Sequence, residues 1–352
     1  MKILIINPGS TSTKLAVYQD TTPVWMSGAH HSQTDLAAFH HSTDQYQFRM
    51  DFIRKRLHDG EMPIAFDAVI ARGGLLKPLR GGVYRVNEKM KHDLIHAEMD
   101  HACNLGALLA DELAKECGCP AFIADPVVVD EMCNEARYTG IPEIKRKSVF
   151  HALNSKAVSR QYAASIQKRY EDIDLIVAHL GGGISVSAHC HGQVIDVNNA
   201  LDGEGPFSTE RAGTLPAGQL VDMCFSGKYS SKQIHKMIHG AGGLLAYTGT
   251  NDMITIAAEA EQGNEPYHSA LRAMLYTVAK QIGAMHVALC GKEHAIILTG
   301  GVAHSNYCVS LLTERISFLA PIVVMPGENE IGSLAYNAYS VLTGTQQAVE
   351  YT

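Results

Sequence analysis

Eight residues near the start, Asn7-Pro8-Gly9-Ser10-Thr11-Ser12-Thr13-Lys14, bring together an amide, a glycine, four hydroxyls and a cation. A glycine lets the backbone approach a ligand closely, and successive N–H groups with hydroxyls can wrap phosphate oxygens. The spacing is not GxxxxGK[ST] and no helical pattern follows, so the segment is not a P-loop. Taken alone it also reads as an ordinary hairpin turn, which the same residue types favour. His179-Leu180-Gly181-Gly182-Gly183 repeats the design, and Thr299-Gly300-Gly301 is a third glycine turn after an apolar strand. Three such turns point to a ligand, because strand C-termini in α/β sheets are where ligands gather.

Charged residues stand at the same kind of place. Arg72 ends an apolar run before Gly73-Gly74, and Arg211 lies in Ser208-Thr209-Glu210-Arg211-Ala212-Gly213. The guanidinium fork clamps carboxylates and phosphates, although a surface ion pair is the commoner use of an arginine. Asp125 precedes Pro126, and Glu328 and Glu330 follow Pro326. Such carboxylates suit a hydrated Mg²⁺ held against nucleotide phosphates, and Glu330, which precedes an expected helix, equally suits helix N-capping. His101 and His151 each open a helix after a chain reversal and could donate to a phosphoryl oxygen. His189-Cys190-His191 reads as strand alternation rather than a metal site, with no second ligand pair in view.

The elements that position these residues are legible. Lys2–Asn7, Thr13–Gln19 and Val24–Ala29 read as three strands joined by tight turns, and Leu175–His179, Ile184–His189 and Val194–Val197 repeat them about half a chain later. Strands are also expected at Asp67–Ala71, Ala121–Ala124, Ala295–Leu298 and Ile322–Val324. Helices are expected at Gln45–His58, Asn104–Cys117, Leu215–Phe225, Ser230–His239, Asn251–Glu261, Pro266–Cys290 and Gly332–Leu342. A length of 352 residues suits about two domains. The expected division is 1–149 plus 331–352 against 150–330. With a net charge of −7 and no long basic run, nucleic acid is not an expected partner. No apolar run approaches the ~18 residues of a membrane span, and the start lacks the apolar region of a secretory leader. Eight scattered cysteines suit a reducing compartment, so a cytoplasmic location is expected.

The motifs together resemble the acetate and butyrate kinase family of the actin-like ATPase superfold. The resemblance runs through NPGSTSTK (7–14), ARGG (71–74), HACNLG (101–106), ADPVVVDEM (124–132) and FHALNSKAVSRQYA (150–163). It continues through the long stretch 179–216, TGG (299–301) and PGENEIGS (326–333). NPGST, HLGGG and the short chain are closer to the butyrate branch than to the acetate branch. The resemblance implies an α/β fold of duplicated actin-like ATPase (ribonuclease H-like) domains with a central cleft. It implies reversible phosphoryl transfer between ATP/ADP and a short-chain fatty acid, as butyrate and butyryl phosphate, with Mg²⁺ and a homodimer or higher homo-oligomer.

By the same match, Arg72, Asp125, His151 and Arg211 are expected to be catalytic. Asn7, Ser10, Ser12, Lys14, His179, Gly181, Gly182, Gly183, Gly300 and Gly301 are expected to contact the nucleotide, and Asp125 and Glu330 the metal, with Glu328 the alternative. Gly74 and Phe150 are expected to line the acyl pocket, where a missing side chain at Gly74 leaves room for four carbons or a branch. A branched-chain, propionate or acetate kinase is the same-class alternative, and a non-catalytic nucleotide switch the alternative of another class. A dinucleotide dehydrogenase is excluded, since no strand–GxGxxG–helix unit occurs.

Overall fold

Runs such as Lys2–Pro8 (KILIINP), buried on both faces, can be satisfied only inside a sheet covered on both sides. The computed structural model describes residues 1–352, apart from the side chain of Gln33. Its strands are β1 (Lys2–Pro8), β2 (Ser12–Gln19), β3 (Thr22–His30), β4 (Ala68–Arg72), β5 (Val83–Arg85) and β6 (Ala121–Ala124). They continue with β7 (Asp174–Leu180), β8 (Ile184–Cys190), β9 (Gln193–Val197), β10 (Ala295–Gly300), β11 (Ile322–Pro326) and β12 (Val349–Glu350).

The chain divides into two compact units, Met1–Val129 with Asn329–Thr352, and Asp130–Glu328. The first holds a sheet in the order β12-β5-β6-β4-β1-β2-β3, and the second a sheet in the order β11-β10-β7-β8-β9. In each unit an antiparallel meander (β1-β2-β3, β7-β8-β9) is extended by two parallel strands (β4 and β6, β10 and β11). The repeat expected from the sequence is therefore a repeat of topology. The short β5 and β12 extend only the first sheet.

Alternation places Leu4 and Ile6 in the core under helix Leu105–Cys117, while helix Glu330–Leu342 packs on β1 and β4. In the second unit Ile176, Ala178 and Leu180 face helix Tyr267–Ala288, and Leu175 and Val177 lie in a second cluster with Val158 of helix Ala152–Ser165.

The division falls earlier than the expected 149/150. Residues 130–150 are tied into the second unit by charge as well as chain. Lys156, buried, bonds both oxygens of Glu131, Arg146 bonds Asp196 and Glu204, and the Cys133 N–H donates to Ile195. All the elements expected from the sequence are present to within a few residues at their ends. Helices Glu88–Ile95, Ala152–Ser165 and Asn306–Ile316 and strands β5 and β12 were not anticipated in full. The strands are too short to show a period. Helix Ala152–Ser165 buries polar residues (Asn154, Ser155, Lys156, Ser159) on its inner face, which hides its amphipathicity.

Candidate active site

In the first unit the parallel register sets Ile6 beside Ala71 and Arg72 beside Ala124, so Asn7, Arg72 and Asp125 lie at the C-terminal ends of adjacent strands. Glu330 joins them at the start of its helix. Asn7 Nδ2 donates to Glu330 Oε2 at 2.8 Å, and Arg72 Nη1 lies 3.3 Å from Glu330 Oε1. The arginine expected to face phosphate and the acid expected to face metal are thus an ion pair. Asp125 is buried at a positive φ of 37°. Its N–H donates to Gly82 O at 3.0 Å, and its Oδ1 accepts the Gly82 N–H at 2.7 Å. A non-glycine residue held in such a conformation marks strain that its surroundings must impose.

The turn itself closes with the Gly9 N–H donating to Ser12 O at 2.8 Å, leaving Ser10 and Thr11 exposed. Lys14 is exposed on β2, paired across the strands with Asn7. His101 is brought to this turn. Its Nδ1 accepts the Cys103 N–H at 3.1 Å, which leaves the proton on Nε2, 3.1 Å from Ser10 Oγ. Burial, and then the positive charge of Arg72, hold its pKa below the ordinary histidine value, which fits this neutral tautomer.

Gly74 does not leave room for an acyl chain. A Cβ there would lie 2.7 Å from Asn104 Cα, Asn104 Oδ1 and Leu94 Cδ2, so close packing against the Asn104 backbone requires the glycine. Gly106 is a second such contact, pressed against the carbonyl of Arg72.

In the second unit His179 near the end of β7 is fully buried. Its Nδ1 accepts from Asn154 Nδ2 at 3.0 Å, and its Nε2 lies 2.8 Å from Glu328 Oε1, off the line of a hydrogen bond. The His151 ring stacks on it at 3.7 Å between centroids and 8° between planes, and His151 Nδ1 lies 3.0 Å from Ser185 Oγ. Phe150, one residue before, is buried. Asn154 also donates to Thr299 Oγ1, which in turn donates to Gly327 O. The N–H groups of Gly300 and Gly327 bond each other's carbonyls. Gly300, at φ 87°, packs against the Leu180 carbonyl, while Gly301 is exposed.

Gly181–Gly183 form the turn between β7 and β8, with the Gly181 N–H donating to Gly183 O at 3.1 Å and Ser208 Oγ donating to Gly182 O at 2.6 Å. The Arg211 guanidinium lies where a Cβ on Gly183 would stand, and its Nη1 donates to Ala200 O. Burial holds the Arg211 pKa below its ordinary value, partly offset by Glu210.

The structure thus gathers Asn7, Ser10, Arg72, Asp125, Glu330 and His101 in one unit, and His151, His179, Gly181–Gly183, Arg211, Gly300 and Glu328 in the other. It separates the two acids left as alternatives, for Glu330 sits with Arg72 and Glu328 with His179. As hard oxygen donors, Asp125 and Glu330 fit Mg²⁺. A different group, Asp174, Cys190 and His191, brings ligand atoms within 4.8 Å at the opposite end of β7 from His179. His189 takes no part in that group. It is buried against the Tyr170 and Ser187 hydroxyls.

Sequence reasoning missed Asn154, Ser208, Gln45, His31 and above all Arg49. Arg49 is fully buried on the stripe of Ile53 and Leu57 and bonds the carbonyls of the first turn. A charged residue at i, i+4 and i+8 spacing with core residues was the available signal.

Residues 136–329 match the model of the Acetokinase family. A protein of Phocaeicola vulgatus named probable butyrate kinase is 66% identical over 98% of this chain and 97% of its own. One of Clostridium acetobutylicum named butyrate kinase 2 is 49% identical over 99% of both chains. Among solved structures, an acetate kinase of Porphyromonas gingivalis superposes with a TM-score of 0.78 at 18% identity, over 97% of this chain and 99% of its own. The fold is accordingly the α/β actin-like ATPase fold.

Proposed function

The chain belongs to the Acetokinase family, and on that premise we propose that it is a butyrate kinase, transferring a phosphoryl group reversibly between ATP and butyrate. The carrying observation is identity of 66% and 49% along nearly the whole chain to proteins named for that activity.

The chemistry follows from the acceptor. A carboxylic acid with a pKa of about 4 to 4.5 is ionised at neutral pH, so no general base is required. A carboxylate oxygen forms the new bond to the γ-phosphorus, the bond to the β–γ bridging oxygen breaks, and its electron pair leaves with ADP. The difficulty is repulsion between two anions, with charge spread over the equatorial phosphoryl oxygens in the transition state. We assign neutralisation of that charge to Arg72 and Arg211, whose forks also orient the anions. His151 donates one hydrogen bond, its ring plane fixed by His179 and Ser185. Asn7, Ser10, Ser12 and Lys14 in one unit, and His179, Gly181–Gly183, Gly300 and Gly301 in the other, take nucleotide and phosphoryl contacts. Asp125 and Glu330 would hold Mg²⁺, which supplies further neutralisation of phosphate charge when bound. Phe150 is assigned to the acyl pocket.

We place the enzyme in the cytoplasm as a homodimer or higher homo-oligomer. Supporting this, no described helix is long and apolar enough to cross a membrane, and all eight cysteines are free thiols. Helix Ala217–Phe225 buries none of its residues and leaves Phe225 86% exposed, a face that a second copy could cover.

The test is a panel of two- to six-carbon straight and branched acids, scored by acid-dependent ADP formation. Butyrate is expected to give the highest kcat/KM. A higher value for acetate, propionate or a branched acid reassigns the substrate, and no acid dependence at all removes the kinase reading.

A further inference from the structure

Arg49 lies in helix Tyr46–Asp59, outside every motif that carried the functional reading, and it is one of the largest fully buried side chains in the protein. Its donors go to neutral oxygens. Nε and Nη2 bond Gln45 Oε1 at 3.0 and 2.8 Å. Nη1 bonds Ser12 O at 2.8 Å and Thr13 Oγ1 at 2.9 Å, and Nη2 also reaches Gly9 O at 2.9 Å and Ser10 O at 3.2 Å. No carboxylate pairs with it among the described residues. Because arginine can only donate, the Thr13 hydroxyl proton is left for His31 Nε2, 2.8 Å away. Burial, and then the charge of Arg49, lower the His31 pKa, which suits that acceptor. The His31 N–H meanwhile bonds Thr11 O at 2.7 Å.

All four carbonyls from Gly9 to Ser12 are therefore taken by protein donors, three of them by one guanidinium. The N–H groups of Ser10 and Thr11 donate to no protein acceptor among the described residues. A turn whose oxygens are held on the protein side and whose exposed N–H groups remain available presents a positive rim to an anion. Burying a cation without a counter-charge is costly, and burial pushes the Arg49 pKa down to about 10. A cost of that kind is offset when an anion binds nearby.

From this geometry we infer that Arg49 is a positioning residue for nucleotide phosphate, locking the carbonyls of the 9–12 turn away from the ligand and lending it an unneutralised positive charge. The inference rests on the reading of the chain as an ATP-using kinase. It assigns a role to a side chain that touches no substrate.

The experiment compares wild type, Arg49→Met and Arg49→Lys for binding of the non-hydrolysable ATP analogue adenylyl imidodiphosphate with Mg²⁺, and for the KM of butyrate. Arg49→Met is expected to weaken analogue binding at least tenfold while the butyrate KM stays within about twofold. Arg49→Lys restores the cation and should recover part of the loss. Analogue affinity within twofold of wild type in Arg49→Met overturns the inference. So does an equal loss on analogue and butyrate that lysine does not relieve, for that is the mark of a purely structural arginine. If Arg49→Met does not fold, Arg49→Lys decides. A loss confined to the analogue supports the inference, and no loss or an equal loss on both overturns it. A wild type that binds no analogue would instead remove the kinase reading, so the two failures are distinguishable.

Discussion

The two units share a strand order yet hold their glycine turns by different means. In the first, the 9–12 turn is held from behind by a buried arginine bonding three of its carbonyls. In the second, the 181–183 turn is held by Ser208 and by an arginine lying directly on Gly183. The site arginines differ in the same sense. Arg72 has a carboxylate partner in Glu330, whereas the Arg211 guanidinium bonds a backbone carbonyl, that of Ala200. A duplicated scaffold thus fixes where the turns stand, and the electrostatics of each turn are set by residues outside the repeat. The glycines divide likewise. Gly74 and Gly300 are required by neighbouring backbone, and Gly183 by the tip of a side chain.

The largest expected effect tests the two arginines. Arg72→Ala and Arg211→Ala are each expected to lower kcat by factors on the order of 10²–10⁴, as for other electrostatic clamps. His151→Ala should cost less, since it removes one hydrogen bond. Steady-state kinetics decides the order, and near-wild-type turnover in both arginine variants would take them out of the mechanism.

A smaller pair of effects sharpens the contrast between glycines. Gly183→Ala should displace the Arg211 guanidinium, lowering kcat about tenfold or more while leaving the melting temperature nearly unchanged. Gly74→Ala meets the Asn104 backbone and should destabilise the fold by about 1–3 kcal/mol. Thermal melts and kinetics on both variants would break the contrast if the two behaved alike.

The smallest effect concerns pH. Burial, and then the nearby charges of Lys156 and Arg160, hold the His189 pKa well below 6.5. Its neutral form contributes stability that is fully present above about pH 6.5. That stability is lost as pH falls from there toward the folded-state pKa, because the unfolded chain takes up the proton first. One such proton sets a limit of about 1.4 kcal/mol per pH unit. Denaturation midpoints between pH 7 and 5 should therefore fall less steeply in His189→Gln than in wild type, and parallel curves would exclude the effect.

Most of the strands and the longer helices were legible because apolar period and glycine punctuation are local properties. Helix Ala152–Ser165 was only half legible, since its inward face is polar and satisfied by partners far away in sequence, such as His179 and Glu131. Reading Gly74 as an open space was reasonable from residue size and mistaken in structure, because nothing local says that Asn104 will occupy the position. Choosing between Glu328 and Glu330 had no local solution either, since two residues of separation place them in different units.

The sequence by itself determined the duplicated strand pattern, the three glycine turns and the family, for these depend on residue types at short spacings. Only the tertiary structure decided which carboxylate meets Arg72, which side chain Gly183 must admit, and that Arg49 stands behind the first turn. Those are contacts between residues far apart in the chain, and hydrogen-bond and ion-pair distances of about 3 Å exist only once packing has brought their elements together.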